Sequence, residues 1–493
     1  MSPLAASHHN YLKEVPSEPP PEESAGKTLA MHEISVLILA IGCVAIAWAF
    51  PFKSVKYGLI IFFGILMIVQ TMRRPAMGLA MLVFGSPAMS LVPPGMIPIR
   101  GLNAETLLIA MAIFIWVRQN QIAGKDDLRT PLGRWLLVYA LLILMSCVVA
   151  SLFWQSGLFD TMQKAKNHLA FMIFLPVGFH VLRERRDQML VLMAATASLM
   201  LNCGQAINEG MIPFLAGNLE RARAMALIAQ QPNTFGAALA VYLPFVVSLT
   251  LNRVGGKALN LWFLVASGLV GFALILTLSR GGWVGAVGAL LVIALFKDRR
   301  LLVLLVLAVA TFNLWAPEAV KERLALSGQT SGDIGVDDQI VDDSAQMRVE
   351  QYKSLPAMMA PSPIIGHGYK SYPYVFEKYG TLKRFKGAHS TYCQVGTEEG
   401  LLGLAVLGAV FVMMLAAGWR AQKYCEDPLH RCLGAGVFAG TVAMALAMLF
   451  GARWEPQIIM AFFWVLAGVA EREGILARDR AQAPRTPLMT VQR

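Results

Sequence analysis

The chain has 493 residues, of which 56% are hydrophobic and only 15% charged. A soluble protein carries about 25% charged residues, so a soluble globular class is excluded and a polytopic membrane protein is implied. The formal net charge of +11 requires no nucleic acid, because Lys and Arg at the cytoplasmic ends of membrane spans account for most of it.

In chain order, residues 1–30 are rich in Pro, Glu and Ser and read as a disordered cytoplasmic tail. They hold no basic start followed by an apolar run and a cleavage site, so no cleaved signal peptide is expected. Apolar stretches then recur at about 33–50, 57–71, 76–92, 103–117, 135–154, 168–182, 188–205, 233–251, 259–278, 282–296, 300–315, 400–418, 432–451 and 456–471. Each is near the ~17–25 residues that cross a bilayer. Several are short, and Pro93-Pro94-Gly95 breaks the chain after the third. The expectation is an all-α polytopic transmembrane helix bundle of about 12–14 spans. Residues 31–315 form its N-terminal part, 316–390 one long periplasmic loop, 391–471 the C-terminal transmembrane helices, and 472–493 a cytoplasmic tail.

Alternate loops carry Arg73-Arg74, then Arg118, Lys125, Arg129 and Arg134, then Arg183, Arg185 and Arg186. The pattern continues with Arg253 and Lys257, with Lys297, Arg299 and Arg300, and with Arg420, Lys423 and Arg431. The positive-inside rule puts all six clusters, and both termini, in the cytoplasm. The opposite side holds a loop at about 206–232, the tight junction Ser279-Arg280-Gly281-Gly282 and the long loop. Topology does not require basic residues there, yet each carries some, which points to an anionic ligand on the outer face.

In the first of these, Arg221 and Arg223 precede Pro232-Asn233, which starts a span. The arginines can bind a diphosphate or pair with Glu220, and Asn233 can cap the span. Arg280 is the only charge in its junction; an arginine near the bilayer pairs, faces a cavity or snorkels, and a guanidinium can grip phosphate bidentately. The long loop carries Arg348 and then Gly366-His367-Gly368-Tyr369, a tight turn whose backbone N–H groups can form an anion nest. Tyr369, Tyr372, Tyr374, Phe376 and Tyr379 either stack on sugar rings or form the loop's own small core. Asp333, Asp337, Asp338, Asp342 and Asp343 lack the Gly and closing Glu of an EF-hand and read as a solvated segment. Six scattered cysteines show no CxxC spacing, so neither a metal site nor a disulfide framework is implied.

The stretch from His389 to Gly403 closes the loop and re-enters the membrane. Thr391-x-x-Gln394 fits a capping box, placing a helix start at Thr391. His389 then lies just outside the positive end of that helix, which lowers its pKa. It is a general base or a polar cap at the interface. Gly396-x-x-x-Gly400 and Gly403 offer a flat packing face, and Glu398 can orient a partner, pair with an arginine or face solvent.

Together these pieces resemble the O-antigen ligase and polymerase superfamily. The resemblance rests on Arg223 with Pro232-Asn233, Ser279-Arg280-Gly281, Arg348, Gly366-His367-Gly368, and His389-Ser390-x-Tyr392 leading to Glu398-x-Gly400-x-x-Gly403. It covers about residues 200–470. Ser390 stands where Asn is commoner, and Arg221 and Arg223 compete for one family position. The resemblance implies an inverting, metal-independent glycosyltransferase of the bacterial inner membrane with no cofactor. The donor would be a glycan on undecaprenyl diphosphate. Arg221 or Arg223, Arg280 and Arg348 would hold the diphosphate, His389 would act as base, and Glu398, Gly366, His367 and Gly368 would support the site. A ligase acting on lipid A–core, in lipopolysaccharide biosynthesis, is the leading expectation. A polymerase with a glycan acceptor comes next, then a protein O-oligosaccharyltransferase, and from another class a transporter or flippase.

Overall fold

A computed structural model describes residues 35–36, 38–43, 46, 53–86, 104–124, 127–154, 157–216, 221–224, 231–296, 299–325, 343–380, 387–454 and 457–483. The N-terminal tail 1–30, Pro93-Pro94-Gly95, the acidic residues Asp333, Asp337, Asp338 and Asp342, and the chain beyond 483 lie outside the described residues. The described elements are helical, with no strand among them: α1 (Lys53–Arg73), α2 (Pro75–Gly85), α3 (Ala104–Ala123), α4 (Pro131–Trp154), α5 (Leu158–Leu169), α6 (Phe174–Val181), α7 (Arg185–Leu215), α8 (Pro232–Leu251), α9 (Lys257–Leu276), α10 (Arg280–Phe296), α11 (Arg299–Ala310), α12 (Glu318–Ala325), α13 (Asp343–Met359), α14 (Tyr372–Tyr379), α15 (Thr391–Glu398), α16 (Gly400–Tyr424), α17 (Pro428–Met448) and α18 (Gln457–Gln482).

Among the described residues, seven helices are long and apolar enough to cross a membrane: α3, α4, α7, α8, α9, α16 and α17. Three shorter apolar helices, within α1, α2 and α10, accompany them. This is an all-α polytopic bundle. Its centre is α8, buried over 83% of its apolar window, whereas α3 is buried over only 11% and faces outwards. Helices α9, α10 and α17 pack around α8, with α18 touching it more lightly, and α16 packs along α17 and α18. Small residues set these distances, as expected where apolar burial does not drive helices together. A Cβ on Gly282 would lie 2.8 Å from the carbonyl carbon of Gly236, so α10 rests directly on α8. Val303, Leu304, Val306, Leu307 and Val309 of α11 are exposed, a patch that suits lipid and not water.

The two ends of the bundle differ. At the start of α4, the buried Glu471 accepts from the Leu132 N–H at 2.8 Å and from Thr130, and lies 3.6 Å from Arg420. Gln188 donates to Glu473 at 3.0 Å, and Arg185 pairs with Asp427 at 2.7 Å. The polar residues after 471 therefore continue α18 to Gln482 and are partly buried. The far end of α4, roughly 33 Å away along the helix axis, meets the long loop. There the Trp154 indole donates to the His367 carbonyl at 2.9 Å.

The loop's described part is a helical cap. α13 packs on α14 and α15 around a small core of Met358, Tyr372, Val375, Phe376 and Cys393. Of the loop aromatics, Tyr372 and Phe376 are thus internal packing, Tyr374 is exposed and stacks on Trp154, and Tyr369 is buried. The Gly366-His367-Gly368 turn plugs this cap into the bundle. Both glycines have positive φ, +69° and +98°, and a Cβ on Gly368 would sit 2.3 Å from the Ala150 nitrogen of α4. Gly368→Ala is therefore expected to destabilise the protein by roughly 1–3 kcal/mol. Thermal melting in detergent checks this, with faster proteolysis of the 316–390 loop as its local signature.

Candidate active site

Three arginines from three parts of the chain meet in one cleft. Arg280, the first residue of α10, Arg348 of α13 and Arg453 of the α17–α18 connection line about 300 Å³ of free space, mouth included, together with Asn233, Ser279 and Phe450. None of the residues lining it is acidic. Arg280 is placed by the turn before it: Leu278 takes φ +47°, and Ser279 receives the Gly282 N–H at 3.3 Å, capping α10. Arg348 lies over the Phe450 ring at 5.7 Å. Arg453 is 9% exposed and donates to the Thr234 hydroxyl at 2.6 Å. Burial, then Arg348, pulls its pKa down to about 10, so it remains a cation at neutral pH.

Asn233 is not the helix cap that its position suggests. Gln231 occupies the cap position and Pro232 begins α8. The Asn233 amide oxygen instead accepts from Arg221, whose Nε also donates to the Thr277 carbonyl at 2.9 Å. Arg221 thus stands behind the cleft wall and braces it. Arg223 is exposed, and its backbone N–H contacts Glu209 at 3.4 Å. Between the two arginines, the Ala222 N–H donates to the Leu276 carbonyl.

His389 sits immediately before α15. That helix begins at Thr391, but its cap is Ser390, whose hydroxyl accepts from the Cys393 N–H at 3.4 Å. The Thr391 hydroxyl is used elsewhere: it donates to the Gly451 carbonyl at 3.0 Å and accepts from the Arg453 N–H at 2.9 Å. Gln351 of α13 holds the approach to the helix, receiving the His389 N–H at 2.7 Å and donating to Gly387 at 2.9 Å. Tyr352 bridges the Ser390 hydroxyl at 2.9 Å and the Leu449 carbonyl at 3.0 Å. The His389 imidazole is half-buried, and its pKa lies below the ordinary value, first through burial and then through the charges of Arg348 and Arg453. The direction matches expectation, but the larger cause is burial beside two guanidiniums. At neutral pH the ring is a neutral proton acceptor.

The Gly-His-Gly turn is not an anion nest. Its N–H groups are taken by protein carbonyls: Gly366 by Ser362, His367 by Thr397, Gly368 by Glu398 and Tyr369 by Ser146. The His367 ring contacts the Met358 carbonyl at 2.7 Å. Glu398 is buried, accepting from Gln394 at 3.2 Å and from the Tyr372 N–H at 3.3 Å. These residues position the loop and α15. Among the described residues, no group of three or more His, Cys, Asp or Glu forms a metal site.

Arg453 is the residue that sequence reading passed over. The signal was present, since it is one more basic residue on the side where topology requires none, in a connection too short to attract notice. Residues 262–408 match a family model described as O-antigen ligase. No curated protein matches the chain. The matched part includes Arg280, Arg348, His389 and Glu398 and stops short of Arg221 and Arg453.

Proposed function

We propose that this chain, which belongs to the O-antigen ligase superfamily through residues 262–408, moves a glycan from undecaprenyl diphosphate to a hydroxyl of lipid A–core at the periplasmic face of the inner membrane. The observation that carries this reading is the meeting of Arg280, Arg348 and Arg453 in one cleft beside a histidine kept neutral by its surroundings. Guanidiniums suit diphosphate oxygens. A partly buried setting strengthens their hold on charge that builds as the leaving group departs.

In the reaction, the acceptor hydroxyl attacks the anomeric carbon from the face opposite the diphosphate. The new glycosidic C–O bond forms as the carbon–oxygen bond to phosphate breaks. His389 takes the hydroxyl proton, and the electron pair leaves with undecaprenyl diphosphate. The configuration at the anomeric carbon inverts, and no metal or cofactor is needed in this scheme. Arg221 serves through Asn233, by keeping the cleft wall in place.

The test is transfer by the purified protein in detergent, with undecaprenyl-diphosphate glycan and lipid A–core, EDTA present and no ion gradient. Glycosylated lipid A–core is the expected product. Lengthened lipid-linked glycan would indicate a polymerase instead. Activity that appears only when divalent metal is restored would sink the metal-independent scheme, and dependence on a gradient would favour a transporter.

A further inference from the structure

The turn that plugs the cap into the bundle also carries an apolar tip. Ile364 is 64% exposed and Ile365 47%. Beside them the first turn of α16 exposes Leu401 and Leu402, at 56% and 40%. Backbone hydrogen bonds join the two pairs. The Leu401 N–H donates to the Pro363 carbonyl at 2.9 Å, and the Leu402 N–H to the Ile364 carbonyl at 3.0 Å. The first N–H groups of a helix have no partner within it, so the tip supplies α16 with acceptors and is held there. A contiguous apolar surface of this kind marks a protein contact, a ligand groove or a membrane contact.

Depth decides between these. Towards its other end α16 exposes Trp419, and the charges begin at Arg420. Aromatic and basic residues in that order mark the edge of the hydrocarbon. From Trp419 back to Leu401 the helix runs roughly 27 Å, against a hydrocarbon thickness of about 30 Å. α4, which packs along α16, gives an independent measure. It is apolar from the exposed Trp135, next to Arg134, to Trp154, a run of roughly 28 Å. Trp154 is the residue that donates to the His367 carbonyl. Both spans therefore put residues 364–367 at the far edge of the hydrocarbon. Tilting a span shortens its reach across the bilayer, so tilt draws the tip deeper.

The backbone of the tip suits such a place, where polar groups need protein partners. Pro361 and Pro363 carry no N–H. The N–H groups of Ser362 and Gly366 donate to the carbonyls of Met359 and Ser362, and the Ser362 hydroxyl donates to the Gly366 carbonyl at 2.6 Å. The carbonyls of Pro363 and Ile364 are taken by α16.

We infer that Ile364 and Ile365 form a membrane anchor, which enters the acyl chains beside α16 and moors the helical cap to the leaflet it faces. The tip closely follows α13, so the anchor also sets the depth of the helix that bears Arg348. It rests on the bundle crossing a bilayer and not on the transferase reading.

The experiment places a spin label on the full chain in lipid nanodiscs, at Ile364→Cys and Ile365→Cys in turn. The six native cysteines are buried, and the unsubstituted chain, treated alike, supplies the background. Collisions with molecular oxygen, which concentrates in acyl chains, are compared with collisions with a water-soluble nickel chelate. Val412→Cys, on an exposed position of α16, is the lipid reference, and Glu377→Cys, on an exposed position of α14, is the water reference. Both tip labels should shift from the oxygen-to-nickel ratio of the water reference towards that of the lipid reference. The inference is overturned if both tip labels match the water reference, which would put the cap clear of the bilayer. It is overturned equally if both are shielded from oxygen and nickel alike, which would put a second protein surface over the tip.

Discussion

His389→Ala is expected to lower kcat for glycan transfer about 10²- to 10⁴-fold, the usual cost of losing a general base, with little change in melting temperature. The backbone contact to Gln351 survives the substitution, because it uses the His389 N–H and not the ring. The pH profile supplies a second reading. A base acts when deprotonated, so the rate rises with pH through the imidazole pKa and then levels. Since burial, Arg348 and Arg453 hold that pKa below its ordinary value, the midpoint of the rise should fall on the acid side of about 6.5. Removing Arg348's charge should move the limb towards higher pH. A folded His389→Ala protein with near wild-type kcat would show that the histidine is only part of the turn.

Arg453→Ala should cost about 10²- to 10³-fold in kcat, the scale of removing one preorganised donor to developing charge. It should also weaken binding of bare undecaprenyl diphosphate by about ten-fold or more, because a hydrogen bond to a charged group contributes about 1.5–3 kcal/mol. Arg453→Lys keeps the charge and loses the fork, so it should recover binding better than rate. Arg453 also anchors to Thr234, and Thr234→Val separates the two roles. If Thr234→Val reproduces the whole defect, Arg453 is a brace between α8 and the α17–α18 connection. If it retains most activity, the guanidinium serves the ligand.

Much of this was legible in the sequence because membrane spans declare themselves. The apolar runs at 135–154, 233–251 and 400–418 correspond to α4, α8 and α16. The run at 168–182 is less simple: its first part is the end of α5 and a 3₁₀ turn, Ala170–Ile173, before α6. Arg280, Arg348 and His389 were legible because each stands out chemically from apolar or turn-forming neighbours. Other details depended on contacts between distant segments. Ser390 and Thr391 are both able to cap a helix, and only the Gly451–Arg453 segment, some 60 residues later, shows why Thr391 is engaged elsewhere. Arg221 and Arg223 are indistinguishable by type, and only the contacts of Arg221 to Asn233 and Thr277, against the exposure of Arg223, separate them.

The hydroxyl of Thr391 has a reach beyond its size. By bonding both Gly451 and Arg453, it yokes the start of α15, two residues after His389, to the segment that carries Arg453. In the proposed reaction, proton acceptor and phosphate clamp would thereby be parts of one jaw, although the chain separates them widely. Were they to wander independently, each turnover would have to find their spacing anew, a search whose avoidance is measured by effective molarities of about 10⁵–10⁸ M. A spacing fixed in this way would suit the sugar–diphosphate bond of the proposed donor. Variation in the transferred glycan would then fall to the surrounding walls and leave the jaw unchanged.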